Sequence, residues 1–134
     1  MTYLIAEIGQ NHNGSIDLAK LLIDIVARPI TDKFNNKEVK GMDAVKFTKR
    51  DLKQELSKSQ MDKIYESPNS FGKTYGEHRE FLELSDNEHF ELYKYTKSMN
   101  LDFVETICGL GALSLLKLFK PDKLKVASRD LTNL

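Results

Sequence analysis

Four short apolar runs punctuate the chain, and residues at helical spacing fill much of the space between them. Tyr3 to Ile8 is rich in β-favouring residues and closes at Gly9, which predicts a buried strand over residues 3–8. After the turn-rich QNHNGS, Ser15 is placed to cap a helix that has Asp17 in its first turn. Ile16, Ala19, Leu22, Ile23 and Val26 then recur on one helical face until Pro29 stops it. Residues 30–40 are polar without a period and read as an inserted loop. Ala44, Val45 and Phe47 mark a second strand over 43–48. From Thr48 to Tyr75 the chain is mostly polar, with room for a short surface helix in DLKQELSKSQMDKIY and a loop at SPNSFGKTYG. Ser85 and Glu88 form a capping-box pattern ahead of a helix that runs to Met99. LDFVETI is a third strand over 101–106, GALSLLKLF a third core helix ended by Pro121, and KLKVAS a fourth strand over 123–127.

Helices alternating with strands predict right-handed crossovers and a parallel α/β sheet in the order 1-2-3-4, with the helices on one face. A doubly wound sheet would carry GxGxxG after its first strand, where this chain has GQNHNG. A (β/α)8 barrel carries chemistry at the C-terminal ends of its strands. Glu7, Lys46, Glu105, Lys125 and Ser128 all fall there, so the expectation is a partial TIM barrel of about four parallel strands with intervening helices. The 134 residues hold roughly half of such a barrel.

A carboxylate inside an apolar strand is costly unless it is paired, so Glu7 either meets a cation or has a raised pKa and a task. Lys46 in AVKF and Lys125 in KVAS occupy equivalent strand ends, and with Ser128 they make a candidate site for phosphate or carboxylate. His89 reads as a solvated helix residue, and His12, His78 and His89 lie in unrelated segments, so no metal site is expected from this chain. Cys108 is the only cysteine, which excludes an intrachain disulfide and reads as a small buried residue. With no signal-peptide pattern at the N-terminus, it points to a reducing cytoplasm. Lys and Arg balance Asp and Glu at 20 each, which gives no electrostatic case for nucleic acid or an anionic membrane. No apolar stretch is long enough to span a bilayer.

IAEIGQNHNGS, DAVKF, YGEHREFLELSDNEH and KVASRDLTN together resemble the N-acetylneuraminate (sialic acid) synthase family, which includes the legionaminic and pseudaminic acid synthases. The resemblance implies that residues 1–134 are the N-terminal half of the family's barrel, without its C-terminal half and antifreeze-like domain. It also implies a transferase that condenses phosphoenolpyruvate with an N-acetylated amino sugar of the N-acetylmannosamine type, giving a nine-carbon keto sugar acid. A divalent metal, Mn or Mg, serves the family as Lewis acid and is held by histidines of later strands. By motif, Glu7 and Asp130 match catalytic acids, Lys46, Lys125 and Ser128 match phosphoenolpyruvate ligands, and Asn69 and Tyr75 lie in the stretch matching the sugar site. The family's KIxSG[ED] reads KVASRD here, so Arg129 stands at a glycine, a strained place if that glycine has positive φ. ETIC replaces STPF, putting the charge of Glu105 at the expected mouth, and KFT replaces KFQ. The expectation is therefore an inactive half-barrel, which self-associates or joins a missing C-terminal half. The alternative is a non-catalytic half-barrel that binds a small anion or assembles with a partner. A different phosphoenolpyruvate aldolase-type barrel fits NHNG and YGEHR less well.

Overall fold

A computed structural model describes residues 2–132. In chain order, β1 (Ile5–Gly9) leads to α1 (Ile16–Ala27), a hairpin of β2 (Ile30–Asp32) and β3 (Lys37–Val39), and β4 (Ala44–Arg50). There follow α2 (Leu52–Glu55), α3 (Lys58–Met61), α4 (Tyr75–Leu82), α5 (Asp86–Ser98) and β5 (Asp102–Cys108). A 3₁₀ helix (Leu110–Lys117), β6 (Lys123–Val126) and a 3₁₀ turn (Ser128–Asp130) complete the path. The sheet order is β1-β4-β5-β6, with every pairing parallel. The four strands and their order agree with the sequence reading to within a few residues.

Register decides what each face carries. Lys46 pairs with Val104 and Phe47 with Glu105, so alternate residues share a face across the sheet. Val45, Phe47 and Phe103 turn outward and pack with Ala19 and Ile23 of α1, Leu92 of α5, Leu115 and Phe119. Phe47 stacks on Phe103 at 5.5 Å, and Phe119 meets Phe103 edge-on at 5.7 Å. The helices that supply this layer begin as their sequences dictate. Ser15 Oγ accepts the Leu18 N–H at 3.2 Å, and Arg28 is extended because Pro29 follows it. At α5 the Glu88 carboxylate accepts the Ser85 N–H at 2.7 Å, closing the capping box.

Several expectations are corrected. Residues 30–40 form an antiparallel hairpin, not a loop, pairing Ile30 with Val39 and Asp32 with Lys37. Asp32 accepts the Phe34 N–H at 2.9 Å, and Asn36 adopts φ 50°, which asparagine tolerates. Both faces of the hairpin are largely wet, so no apolar period betrayed it. The helix α4 begins inside YGEHR on a Thr74–Glu77 capping box, a signal the polar composition masked. GALSLLKLF is 3₁₀ over Leu110–Lys117 and not an α-helix. Gly111 is a poor helix former, and a Cβ there would strike the Asp51 carboxylate at 1.8 Å. β1, read from its apolar run as a buried strand, is partly open, with Ile5 41% exposed, and it and β6, where Val126 is 54% exposed, are the two edges of the sheet.

Glu105 and His89 need the largest revision. Glu105 does not face the mouth: by alternation it turns outward beneath α5, where it is fully buried. His89 is not solvated. It is fully buried, on the helix face it shares with Leu92 and Thr96, and its Nδ1 lies 3.0 Å from Glu105 Oε2. Among the described residues no helix is long and apolar enough to cross a membrane.

Candidate functional site

The inner face carries the polar chemistry in layers. Tyr3, Asp102 and Lys123 form a hydrogen-bonded group at the N-terminal end of the sheet, where Lys123 Nζ lies 3.0 Å from Asp102. Above them Glu7 of β1 sits beside Lys46 of β4, its register partner, and the two form an ion pair. A bulge between Glu7 and Gly9 shifts the register there, the kind of irregularity that re-aims a side chain. Thr48, Thr106 and Lys125 form the next level, because Thr48 pairs with Thr106 and Thr106 with Lys125. Arg50 and Cys108 end their strands at the rim, and the chain after β6 brings Ser128 and Arg129 over them. Together these side chains line an open cavity of about 370 Å³, a size suited to a small metabolite.

Its charge is strongly positive, with Lys46, Arg50, Lys125 and Arg129 on the wall against Glu7. Burial, with the Lys125 ammonium beside it, holds Lys46 below the usual lysine range. Glu7 is half-exposed and serves as counter-ion, so the strand carboxylate takes the paired option of the two foreseen. Behind the wall Glu55 of α2 receives Arg129 Nη1 at 2.6 Å and also pairs with Arg50. Burial works to raise the Glu55 carboxyl, but Arg129, Arg50 and Arg79 outweigh it and hold it below the usual carboxylate range. Arg129 is not in the left-handed region, so the strain foreseen for an arginine at this position is absent. The buried Cys108 thiol is pushed up by desolvation, which makes it a poor nucleophile.

Glu7, Lys46, Lys125 and Ser128 therefore converge as the sequence suggested. Asp130 lies outside this cavity, in an adjoining cleft lined by Glu55 and Arg129, with Arg129 Nε 3.7 Å from its Oδ1. Asn69 is exposed in a turn where its N–H meets Ser67 Oγ at 3.3 Å, away from the cavity lining. Tyr75 opens α4 and packs edge-on against Tyr65 at 5.5 Å, also away from that lining. Arg50, Thr106 and Glu55 were missed. For Arg50 a signal existed, since it is four residues beyond Lys46 and alternation puts both on one face. Glu55, in a polar helical run, carried none.

Among the described residues no three His, Cys, Asp or Glu side chains converge to hold a metal ion. His12 and His89 belong to the outer layer with Phe47 and Glu105, and His78 stacks among Tyr65 and Phe71. A divalent cation therefore finds no ligand set in these residues.

The NeuB family model matches residues 35–134. An N-acetylneuraminate-9-phosphate synthase of Drosophila melanogaster is 36% identical over 98% of this chain and 32% of its own length. An N,N'-diacetyllegionaminic acid synthase of Campylobacter jejuni is 32% identical over 99% of this chain and 37% of its own. Among solved structures, an N-acetylneuraminic acid synthetase of Leptospira borgpetersenii shares the fold with a TM-score of 0.66, covering 98% of this chain and 39% of that one at 24% identity. The chain thus spans about a third of the length of the curated relatives it matches, and its four parallel strands are part of their barrel. On these grounds the chain belongs to the NeuB family.

Proposed function

We propose that this chain is the phosphoenolpyruvate-binding half-barrel of a synthase that joins phosphoenolpyruvate to an N-acetylated amino sugar of the N-acetylmannosamine type. The observation that carries the reading is the Glu7–Lys46 ion pair, open to the cavity and flanked on one inner face by Lys125 and Ser128. In the reaction, C3 of phosphoenolpyruvate bonds to the sugar aldehyde carbon, water adds at C2, and phosphate leaves to give a nine-carbon keto sugar acid. Lys125 and Ser128 supply a cation and a hydroxyl for the phosphate. Lys46, with its lowered pKa, donates to the carboxylate or bridging oxygen, and Glu7 exchanges a proton with the adding water or the new hydroxyl. A divalent ion such as Mn or Mg would supply a Lewis acid for the sugar aldehyde, and the described residues offer it no ligand set. The single buried thiol suits a cytoplasmic setting.

Calorimetry with phosphoenolpyruvate tests the site. Binding is expected to weaken with salt and to fall at least tenfold in Lys46→Ala. Unchanged affinity in that variant removes the assignment. With N-acetylmannosamine and Mn²⁺ added, the 134-residue chain is expected to bind without releasing phosphate. Turnover that disappears in Glu7→Ala would overturn the inactive-half reading.

A second reading, a half-barrel that works by assembly, is favoured by the open outer edge. Leu110 is 77% exposed, and with Leu113, Leu124 and Val126 it lines an apolar groove beside β6. An unpaired strand next to such a groove drives association. Light scattering is expected to give at least a dimer mass at micromolar concentration, and a monomer at all concentrations rules this reading out.

A further inference from the structure

The loop that follows β1 meets the elbow between α4 and α5 outside the cavity, and one carboxylate there ties both to β4. β4 outruns β1: the last register partners are Gly9 and Phe47, and Arg50 lies three residues further on. Along a strand of a parallel sheet, successive backbone N–H groups turn to opposite neighbours. The Asp51 N–H turns to β5 and donates to the Cys108 carbonyl at 2.9 Å. The Arg50 N–H therefore turns to the other side, where β1 has already ended. Glu83, the residue that closes the C-terminus of α4, takes the place of the missing strand, and its Oε2 accepts the Arg50 N–H at 3.2 Å. Its Oε1 accepts the side-chain amide of Gln10, which follows the left-handed turn at Gly9. The rest of that loop lies close against the same elbow, since a Cβ on Gly14 would strike the Phe81 carbonyl oxygen at 2.1 Å.

Glu83 thus bridges the ends of the two strands that carry the ion pair of the cavity, Glu7 on β1 and Lys46 on β4. Neither Glu83 nor Gln10 lines the cavity. Folding stability does not account for a carboxylate at this place. Burial pushes Glu83 up from the usual carboxylate range, against the pull of the Arg50 N–H, Lys49, His89 and the Arg50 guanidinium. At neutral pH its ionisation therefore opposes folding. Carboxyls held in this way cluster at functional sites.

We propose that Glu83 is a positioning residue for anion binding: it fixes the spacing of the β1 and β4 ends, and through them the placement of Glu7 against Lys46, without touching the ligand. This rests on the reading of the cavity as a phosphoenolpyruvate site. Groups that meet a small ligand must be held to within about 0.5 Å by neighbours that are themselves locked. β1 is an edge strand, so its end has a neighbouring strand on one side only.

The test compares the intact 134-residue chain with Glu83→Ala, Glu83→Gln and Gln10→Ala, each at a temperature where urea curves show it fully folded. Phosphoenolpyruvate affinity by calorimetry is expected to fall about fivefold in Glu83→Ala, the weight of one hydrogen bond. Gln10→Ala, which keeps the Arg50 bond, is expected to lose less. Glu83→Gln is expected to stay close to native, because its oxygen accepts the Arg50 N–H while its amide group meets the Gln10 oxygen once that side chain turns over. NMR reads the same device without ligand. Glu83→Ala is expected to shift the side-chain signals of Glu7 and Lys46, and Glu83→Gln to return them. A glutamate with only a structural role would lower the urea midpoint but leave those two signals and the affinity of the folded chain unchanged, and that result overturns the proposal. If the native chain fails to bind phosphoenolpyruvate while the Glu7 and Lys46 signals still follow Glu83, the synthase reading of the cavity falls and the positioning role stands.

Discussion

Replacing His89 by alanine is expected to cost about 3–5 kcal/mol of folding stability, among the largest single-residue losses in the chain. His89 and Glu105 are both fully buried, and Nδ1 lies 3.0 Å from Oε2. Glu105 Oε1 has no partner, so His89 is the group that compensates this carboxyl in the apolar layer. Burial already raises the Glu105 pKa, with His89 acting in the opposite direction. Removing the imidazole leaves a buried carboxyl without its hydrogen bond and opens a cavity beneath α5. Small domains are stable by only about 5–15 kcal/mol, so urea denaturation will show a greatly lowered midpoint. The paired replacement His89→Leu with Glu105→Met is expected to recover most of the loss, because both polar groups leave together. A loss below about 1 kcal/mol in His89→Ala would mean that Glu105 finds another partner.

The second large effect is on pH dependence. His12 is 1% exposed, its Nδ1 accepts the Gly14 N–H at 3.1 Å, and its Nε2 has no partner. Desolvation, with His89 adding to it and Glu88 opposing, pulls its pKa from 6.5 down to about 4. The folded state thus favours the neutral ring. The stabilisation is complete above pH 6.5 and is lost as pH falls toward 4. At 1.36 kcal/mol per pKa unit the effect is roughly 3 kcal/mol. Glu83 and Glu105 act with the opposite sign, since burial raises both and their contribution grows as they protonate. The clean measurement is therefore a difference. The stability advantage of the native chain over His12→Gln is expected to shrink by roughly 3 kcal/mol between pH 7 and pH 4. A constant difference across that range contradicts a buried neutral His12.

Both histidines show where sequence reasoning reaches and where it stops. The strands and the helices α1 and α5 were legible because period and caps agreed: Ser15 and Ser85 each accept the backbone N–H their positions predict. The burial of His89 was also available, since it stands three and seven residues before Leu92 and Thr96 on one helical face. Glu105 was misplaced because its motif was read along one strand. Only the pairing of Phe47 with Glu105 and of Lys46 with Val104 assigns the two faces. The lysine site was legible for the complementary reason, as Glu7, Lys46, Lys125 and Ser128 sit at strand ends that any parallel sheet brings together. Arg129 looked like a defect when judged as a missing glycine. Its backbone is ordinary, and its partner Glu55 is more than seventy residues away in sequence, a contact no local pattern encodes.

The β2–β3 hairpin leaves α1 and returns to the start of β4, so it stands at the opposite end of the strands from the cavity. Phe34 at its tip is 99% exposed, and Lys37 to Val39 face water throughout. That makes the turn between Asp32 and Lys37 a natural attachment point. A fluorophore, an affinity peptide or a surface tether introduced there would anchor the molecule with its cavity directed away from the support.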